Sequence, residues 1–488
     1  MGILAALFSR EGRDVSLEIS QMLESAGRLD ADFFGMGSFK GARIKRKVED
    51  LGIIHSNAIL GYGLAKITPL DQPQPIFQHG YAMIFEGRLW ERNSPDLVEA
   101  AEIVGSKPED GLLKLVSQKN GSFIVVIAEK GRIICCRDPI GVVPLYIGES
   151  DRFLGAASTR KMLHRIGIEN AELLQPGSIC ELNDNGITIR SVQAISQPPT
   201  ISISREEAVK KLDELLHDSV RERKKGLFSA SLGFSGGVDS ALLAHYMKSC
   251  GIRADLICVG LEGSEEFEVA EKVADCLDLP IRMETFEPSD VERDLDTVLN
   301  MVEEPSPMKV SVAIPTLWAT QGSYRYGNRV FFSGNGSDEL FGGYLKYVLE
   351  YAESPGKARE SMFRDVTESH STNFDRDYKV CSDSGVELRL PFADPNLIEF
   401  GLSLPTELRL SRDRRKNRKP LLRALAMELG LSDEVITRQK RAFQYSTGVN
   451  DQLKRLAKRE GKNISQYLGD RFEKIKERWK MARTISLR

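Results

Sequence analysis

At 488 residues, with 41% apolar and 28% charged side chains, the chain has room for two or three domains that each bury a core. A formal net charge of -3 argues against bulk association with nucleic acid or an anionic membrane. No apolar run reaches membrane-spanning length, and residues 1–8 carry neither a basic leader nor the myristoylation pattern, so a cytoplasmic protein is expected.

The first 190 residues predict strands, with short alternating or apolar runs at 2–8, 58–67, 81–85, 122–128, 132–137 and 178–182. Turn-rich segments at 71–75 and 138–146 punctuate them. The stretch Ser196-Gln-Pro-Pro-Thr-Ile-Ser-Ile-Ser204 reads as a linker at 196–204, which places one domain at 1–195 and another at 205–488. Ser204 then caps a helix whose apolar residues are Val209, Leu212, Leu215, Leu216 and Val220. Beyond it strands are expected at about 227–234, 255–260, 280–286 and 329–334, with helices after 241 and at 265–279. This alternation predicts a parallel sheet with helices on both faces, and ligands in such sheets sit at the carboxyl ends of the strands. From about Gly342 the pattern is mostly helical, and the basic run at 409–423 is compatible with contacts to phosphates or a nucleic acid but reads first as a solvated approach to a helix. The seven cysteines have no C-x-x-C pair and no His/Cys cluster of zinc spacing, which predicts buried free thiols.

Seven residues carry the most chemistry: Phe234-Ser-Gly-Gly-Val-Asp-Ser240, between an apolar run and a helical pattern. A strand that turns through two glycines into a helix offers backbone N–H groups and a helix N-terminus to an anion. Gly236 and Gly237 allow close approach of a phosphate, and the hydroxyls of Ser235 and Ser240 can add hydrogen bonds. Asp239 beside such a cradle needs a cation to reconcile it with phosphate charge. No lysine follows the glycines, so this is not a Walker loop. A second small-residue segment, Ser333-Gly-Asn-Gly-Ser-Asp-Glu-Leu-Phe-Gly-Gly-Tyr344, closes the last predicted strand. Asp239 and Asp338 at neighbouring strand ends can share a Mg²⁺ that bridges ATP phosphates. Either segment by itself is compatible with an ordinary turn and a solvated acidic pair. Together they point to an enzyme that splits ATP to AMP and pyrophosphate.

These two segments, with Gly385-Val-Glu-Leu-Arg-Leu-Pro-Phe-Ala-Asp394, Arg438-Gln-Lys-Arg-Ala-Phe-Gln-Tyr445, Glu303-Glu-Pro305 and Ala313-Ile-Pro-Thr316, make the chain resemble the glutamine-dependent asparagine synthetase family over nearly its whole length. The resemblance implies an α/β multidomain fold. An N-terminal Ntn-hydrolase-like αββα sandwich would precede a doubly wound parallel-sheet ATP-pyrophosphatase domain with a helical extension. It implies ATP contacts at Phe234, Val259, Ser333 and Gly334, Mg²⁺ at Asp239 and Asp338, and stabilisation of the pyrophosphate-bearing transition state by Lys440. Without its flanking motif Lys440 would be an ordinary solvated lysine. Glu387 either orients the nucleophile or is structural. The implied reaction activates a small carboxylate, most simply aspartate, as an acyl-adenylate that ammonia converts to an amide. A separate ammonia donor and a homodimer are both compatible with this reading, whereas a membrane or nucleic-acid partner is not expected.

The chain departs from the family in its first half. The family's glutaminase uses an N-terminal cysteine activated by its own α-amino group. Here the chain begins Met1-Gly2-Ile3, and the first cysteine is Cys135. The segment Leu60-Gly-Tyr-Gly-Leu64 lacks the arginine that helps the family grip glutamine. Glu86-Gly87-Arg88 stands where an Asn-Gly-Glu supplies an oxyanion-hole amide, and a glutamate repels a developing oxyanion. The scaffold motif from Cys136 to Tyr146 is intact, so a folded domain that no longer hydrolyses glutamine is expected. In the second half Asn335 replaces a family glutamate, and an amide can hydrogen-bond but cannot accept a proton. That change leaves the acid substrate and the nitrogen source open. It also leaves room for a different carboxylate or amine acceptor, or for a non-catalytic regulatory homologue. A tRNA-modifying role is suggested only by the tail 451–488, with 12 Lys/Arg against five Asp/Glu, which a solvated helix explains equally well.

Overall fold

Alternating apolar residues in the first half and unbroken apolar runs in the second produce two kinds of sheet. The computed structural model of the chain describes residues 1–26, 31–264, 266–411, 418–438 and 446–485. It divides into two units, Met1–Ile195 with the residues from Arg471 onward, and Ser196–Asp470.

The first unit runs β1 (Gly2–Ser9), α1 (Ser16–Ser25), β2 (Phe33–Ser38), β3 (Gly41–Lys45), β4 (Ala58–Leu64), β5 (Ile76–Gln78) and β6 (Tyr81–Leu89). It continues with α2 (Asp96–Val104), α3 (Pro108–Gln118), β7 (Gly121–Glu129), β8 (Arg132–Arg137), β9 (Tyr146–Glu149) and β10 (Phe153–Ala157). The last elements are α4 (Arg160–Arg165), β11 (Glu172–Leu173), β12 (Ser178–Asn183) and β13 (Gly186–Ser191). Two antiparallel sheets result, ordered β11-β9-β10-β1-β4-β2-β3 and β13-β12-β8-β7-β6-β5. The period of two along each strand sorts the side chains. Ile3, Ala5 and Leu7 pack with Ile19, Met22 and Leu23 of α1, whereas Met83, Phe85 and Phe123 pack with Leu97, Leu112 and Leu115 of α2 and α3. The layers are therefore helix, sheet, sheet, helix, the expected αββα sandwich. The intact scaffold motif holds a corner of it: buried Arg137 donates to the carbonyl oxygens of Val143 at 2.8 Å, Gly141 at 2.6 Å and Leu174.

The sequence placed the tail with the second domain, but residues from Arg471 group with the first unit. Phe472 and Trp479, two helical turns apart, meet edge to face with centroids 5.6 Å apart, and Trp479 lies 5.6 Å from the His164 ring of α4. Helical periodicity shows such an aromatic face but not what it covers.

In the second unit the predicted cap is present. Ser204 Oγ accepts from Glu207 N at 3.2 Å, and Glu207 Oε2 accepts from Ser204 N at 2.9 Å, opening α5 (Arg205–Glu222). There follow β14 (Ser229–Gly233), α6 (Val238–Ser249), β15 (Arg253–Leu261), α7 (Glu266–Leu277), β16 (Ile281–Phe286), α8 (Pro288–Val302), α9 (Pro307–Arg325) and β17 (Val330–Phe332). Then come α10 (Ser337–Phe341), α11 (Leu345–Glu353), α12 (Pro355–Ser369), α13 (Asp375–Asp383), β18 (Glu387–Arg389), α14 (Pro395–Ser403), α15 (Thr406–Arg409), α16 (Pro420–Glu428) and α17 (Asp433–Thr437). The sheet is parallel throughout, in the order β16-β15-β14-β17-β18. The helices α6 and α7 cover one face, and α9, backed by α8 and α13, covers the other. The fifth strand, β18, lies inside the stretch expected to be helical, because three residues are too few to show a period. Five of the seven cysteines are buried, but Cys276 on α7 is exposed. Among the described residues no helix is long and apolar enough to cross a membrane.

Candidate active site

Neighbouring strands β14 and β17 end side by side, with Leu232 opposite Phe332, so the segments that leave them meet at one edge. Phe234 N donates to Ile257 O at 2.8 Å, tying the end of β14 to β15, where Val259 is buried. The chain then turns through Gly236, at φ +69°, where an added methyl group would lie 3.1 Å from Ala270 Cα and from the Arg438 guanidinium. Arg438 holds this turn from outside: it donates to the carbonyl oxygen of Ser235 and, at 2.8 Å, to Glu266 Oε1. Gly237 begins α6 with no side-chain cap, which leaves the first N–H groups of a twelve-residue helix facing outward. The hydroxyls expected to aid the cradle have local partners. Ser240 Oγ donates to Gly237 O at 3.1 Å, and Ser235 Oγ accepts from Gly237 N at 3.4 Å.

The second segment packs directly on the first. A methyl group at Gly334 would sit 3.1 Å from Asp239 Cβ, so a glycine there lets the two segments touch. Asn335 N donates to Ser333 Oγ at 3.3 Å, and Gly336, at φ +96°, turns the chain into α10. Asp239 and Asp338 are brought together, and a residue that sequence reasoning missed joins them. Lys419 Nζ lies 2.5 Å from Asp239 Oδ2, 2.5 Å from Asp338 Oδ1 and 2.8 Å from Ser337 Oγ. Lys419 is buried, and its backbone is left-handed at φ +62°, a conformation rare for lysine and frequent at functional sites. Beside this trio, burial and the adjoining Asp338 push the Glu339 carboxyl up, while Tyr344 Oη donates to it at 2.6 Å and Asn373 at 2.8 Å.

In its described part the basic run 409–423 departs from that expectation: Arg409, Lys419 and Arg423 are buried rather than solvated, and 412–417 lie outside the described residues. Their sequence cue is Pro420 within the run, which starts α16. Two carboxylates that converge on one ammonium also fit a divalent cation. Among the described residues no group of three or more His, Cys, Asp or Glu is placed to hold a metal. A magnesium ion here would take Asp239 and Asp338 from the protein and the rest of its shell from phosphate oxygens and water, which is its usual habit.

Asn335 has a partner that the sequence did not reveal. Its Nδ2 donates to Asp377 Oδ2 at 2.6 Å, and Arg376 clamps the same carboxylate at 2.6 and 2.9 Å. Both residues open α13, directly after a wide π-type turn at His370–Phe374, a feature frequent at functional sites. Glu303, from one of the segments that carry the resemblance, is buried and lies 3.0 Å from Lys379 of the same helix. Glu387 is not brought to the strand ends. It begins β18 opposite Val330, two residues short of the edge, and its Oε1 accepts from Arg389 Nε at 2.7 Å. Arg389 in turn donates to the carbonyls of Arg223 and Lys225, so Glu387 belongs to a clamp on the end of α5. Lys440 lies outside the described residues.

In the first unit, the positions expected to have lost glutamine chemistry are filled. Tyr62 of β4 and Glu86 of β6 both face the other sheet, and Tyr62 Oη donates to the Glu86 carboxylate. The Tyr62 ring occupies the room a side chain at residue 2 would need: a methyl group at Gly2 would come within 2.2 Å of Tyr62 Cζ. A methyl group at Gly63 would lie 2.8 Å from Ile3 Cγ1. Arg88 is buried between Asp71 at 2.5 Å and Asp96 at 3.1 Å. Burial raises the Asp71 carboxyl, but the N-terminal ammonium and Arg88 outweigh it and hold that group well below the usual carboxylate range.

The asparagine synthase family profile matches residues 211–357 and 350–474, and a glutamine amidotransferase domain profile matches 99–165. A putative glutamine-hydrolyzing asparagine synthetase of Methanocaldococcus jannaschii is 30% identical over 404 residues, covering 72% of this chain and 74% of that protein. The rat asparagine synthetase is 26% identical, covering 80% and 77%, and asparagine synthetase 3 of Arabidopsis thaliana is 28% identical, covering 84% and 72%. Among solved structures, the glutamine phosphoribosylpyrophosphate amidotransferase of B. subtilis aligns with TM-score 0.34 at 13% identity, over 58% of this chain and 65% of that one.

Proposed function

Because the chain belongs to the asparagine synthase family, we propose that it adenylates a small carboxylic acid, aspartate first among the candidates, and amidates it with ammonia without hydrolysing glutamine. Membership makes it an ATP-dependent carbon–nitrogen ligase. The observation that carries the reading is the convergence of Asp239, Asp338 and Lys419 where β14 and β17 end.

The acid's carboxylate oxygen bonds to the α-phosphorus as the bond from that phosphorus to the bridging oxygen of pyrophosphate breaks. The uncapped start of α6 and the Gly236–Gly237 turn offer N–H groups to the phosphates. Lys419 adds positive charge where pyrophosphate departs, and it keeps the two carboxylates aimed at one point. Magnesium held by Asp239 and Asp338 would screen the phosphate charge that grows in this step. The amine lone pair then bonds to the acyl carbon, AMP leaves with the electrons of its C–O bond, and the surplus proton passes to solvent. Asn335 cannot take that proton. With its Nδ2 engaged by Asp377, its Oδ1 is the atom left to accept an N–H from the incoming nitrogen.

Three features support the loss of glutaminase chemistry: the ring of Tyr62 in the room beside Gly2, the carboxylate of Glu86 between the sheets, and Arg88 locked into two ion pairs. The test is product formation by the purified protein with ATP and magnesium. Aspartate plus ammonium should yield AMP, pyrophosphate and asparagine, and aspartate plus glutamine should yield no asparagine. Pyrophosphate release with another acid, and none with aspartate, would move the substrate assignment. No AMP with any acid would favour a regulatory homologue.

A further inference from the structure

Among the described residues of the second unit, most buried charged groups have hydrogen-bond partners, and Arg409 is an exception. Arg409, the last residue of α15, is 0% exposed. Its Nε, Nη1 and Nη2 are all buried, and among the described residues none accepts a hydrogen bond from them. A guanidinium carries five donors and stays charged in proteins, so burial without an acceptor is costly in both hydrogen bonding and charge. The charged side chain acting on Arg409 makes matters worse, since it is a second arginine, Arg359 of α12. The Nε of Arg359 is also buried without a partner, although its Nη2 donates to Pro198 O at 2.5 Å. Tyr347 of α11 lies nearby, and its hydroxyl is committed to Asp365, which also pairs with Lys346 at 2.5 Å. Among the described residues no carboxylate pairs with either guanidinium. Burial and Arg359 together push the Arg409 guanidinium down to about 10, in keeping with uncompensated positive charge.

We propose that the guanidinium groups of Arg409 and Arg359 form a binding site for a small monovalent inorganic anion of the size and charge of chloride. Water would satisfy N–H groups but not the net charge of two neighbouring arginines, whereas an anion does both. The complete shielding of Arg409 favours an occupant no larger than a halide. The site adjoins the reacting edge through the backbone, because a methyl group at Gly342 would lie 2.6 Å from Arg409 O and 2.4 Å from Leu410 Cδ2. An anion that anchors α15 thus also steadies the end of the segment carrying Asp338.

The test compares thermal melting in sodium chloride and in sodium gluconate at matched ionic strength, for the whole chain and for Arg409→Met. Chloride should raise the Tm of the unmodified protein by about 3 °C or more over gluconate, as binding to the folded state alone requires. The Arg409→Met variant should melt alike in both salts. Crystals soaked in sodium bromide supply a readout that does not depend on the variant folding, namely an anomalous peak within hydrogen-bonding distance of Arg409. Coincident melting of the unmodified protein in the two salts overturns the proposal. So does a chloride effect that survives in Arg409→Met, or a bromide map with no peak at the arginine pair.

Discussion

The reacting edge of the parallel sheet and the interior between β4 and β6 are both lined with polar residues on buried strands, yet they use their space differently. At the edge, glycines at 236, 334 and 336 keep side chains out, and two carboxylates share a single ammonium. Between the antiparallel sheets, an aromatic ring fills the room beside Gly2, its hydroxyl caps a carboxylate, and an arginine is locked between two aspartates. The first arrangement gathers two carboxylates on one ammonium beside an uncapped helix start, while the second couples its polar groups across buried strands. Arg137 holds its corner of the first unit through three carbonyls whether or not the domain acts on glutamine.

Substitutions on the two sides should separate them. Lys419→Met removes the shared cation from two buried carboxylates, and AMP formation should fall by about 10²–10³-fold. Glu86→Gln should leave the ammonium-dependent rate unchanged in the same assay. An equal loss in both variants would erase the contrast. In the first unit, Gly2→Ala drives a methyl group into the Tyr62 ring and should cost about 1–3 kcal/mol by denaturant unfolding. Pairing it with Tyr62→Ala should relieve the clash, and neither variant should release glutamate from glutamine. Asp377→Asn frees the Asn335 amide and should raise the KM for ammonium by about 10-fold with a smaller change in kcat. The same KM shift for ATP would mean that Asp377 merely supports the fold.

The smallest effect is on pH dependence, where the two units differ in sign. Burial, reinforced by Asp394, pushes the Glu222 carboxyl of α5 up from 4.5 to about 7. The folded state keeps its proton to higher pH than the unfolded chain, so this contribution is complete below 4.5 and is lost as pH rises through about 7. Asp71 behaves oppositely: its contribution is present above 3.8 and is lost as pH falls. Melting temperatures across pH should flatten between 4.5 and 7 in Glu222→Gln and should keep their acid limb.

Alternation and apolar runs were enough to locate most strands, since both are local consequences of which faces a strand buries. Asp239, Asp338 and the small residues around them were legible because a phosphate-binding turn needs glycine and an acidic neighbour at fixed spacing. Lys419 was not, for it lies 180 positions from Asp239 in a run of basic residues that by composition should face water. Asp377 hid in the same way, in a helix whose Asp-Arg-Asp sequence resembles a solvated face but is buried against Asn335 and Lys379. Glu387 stayed open between orienting the nucleophile and a structural place, because a motif shows a side chain's type and not its direction; in the fold it clamps the end of α5. That residue 2 is a glycine without a side chain could be read directly. That Tyr62 had taken over its room could only come from the packing of two sheets.

The central claim is that adenylation persists beside a domain that no longer supplies nitrogen, and isotope-labelled nitrogen tests it most directly. The purified protein would be given ATP, magnesium and aspartate with label either in ammonium or in the glutamine amide, and the product amide read by mass spectrometry. The account predicts label from ammonium and none from glutamine. Label passing from the glutamine amide into the product would contradict it.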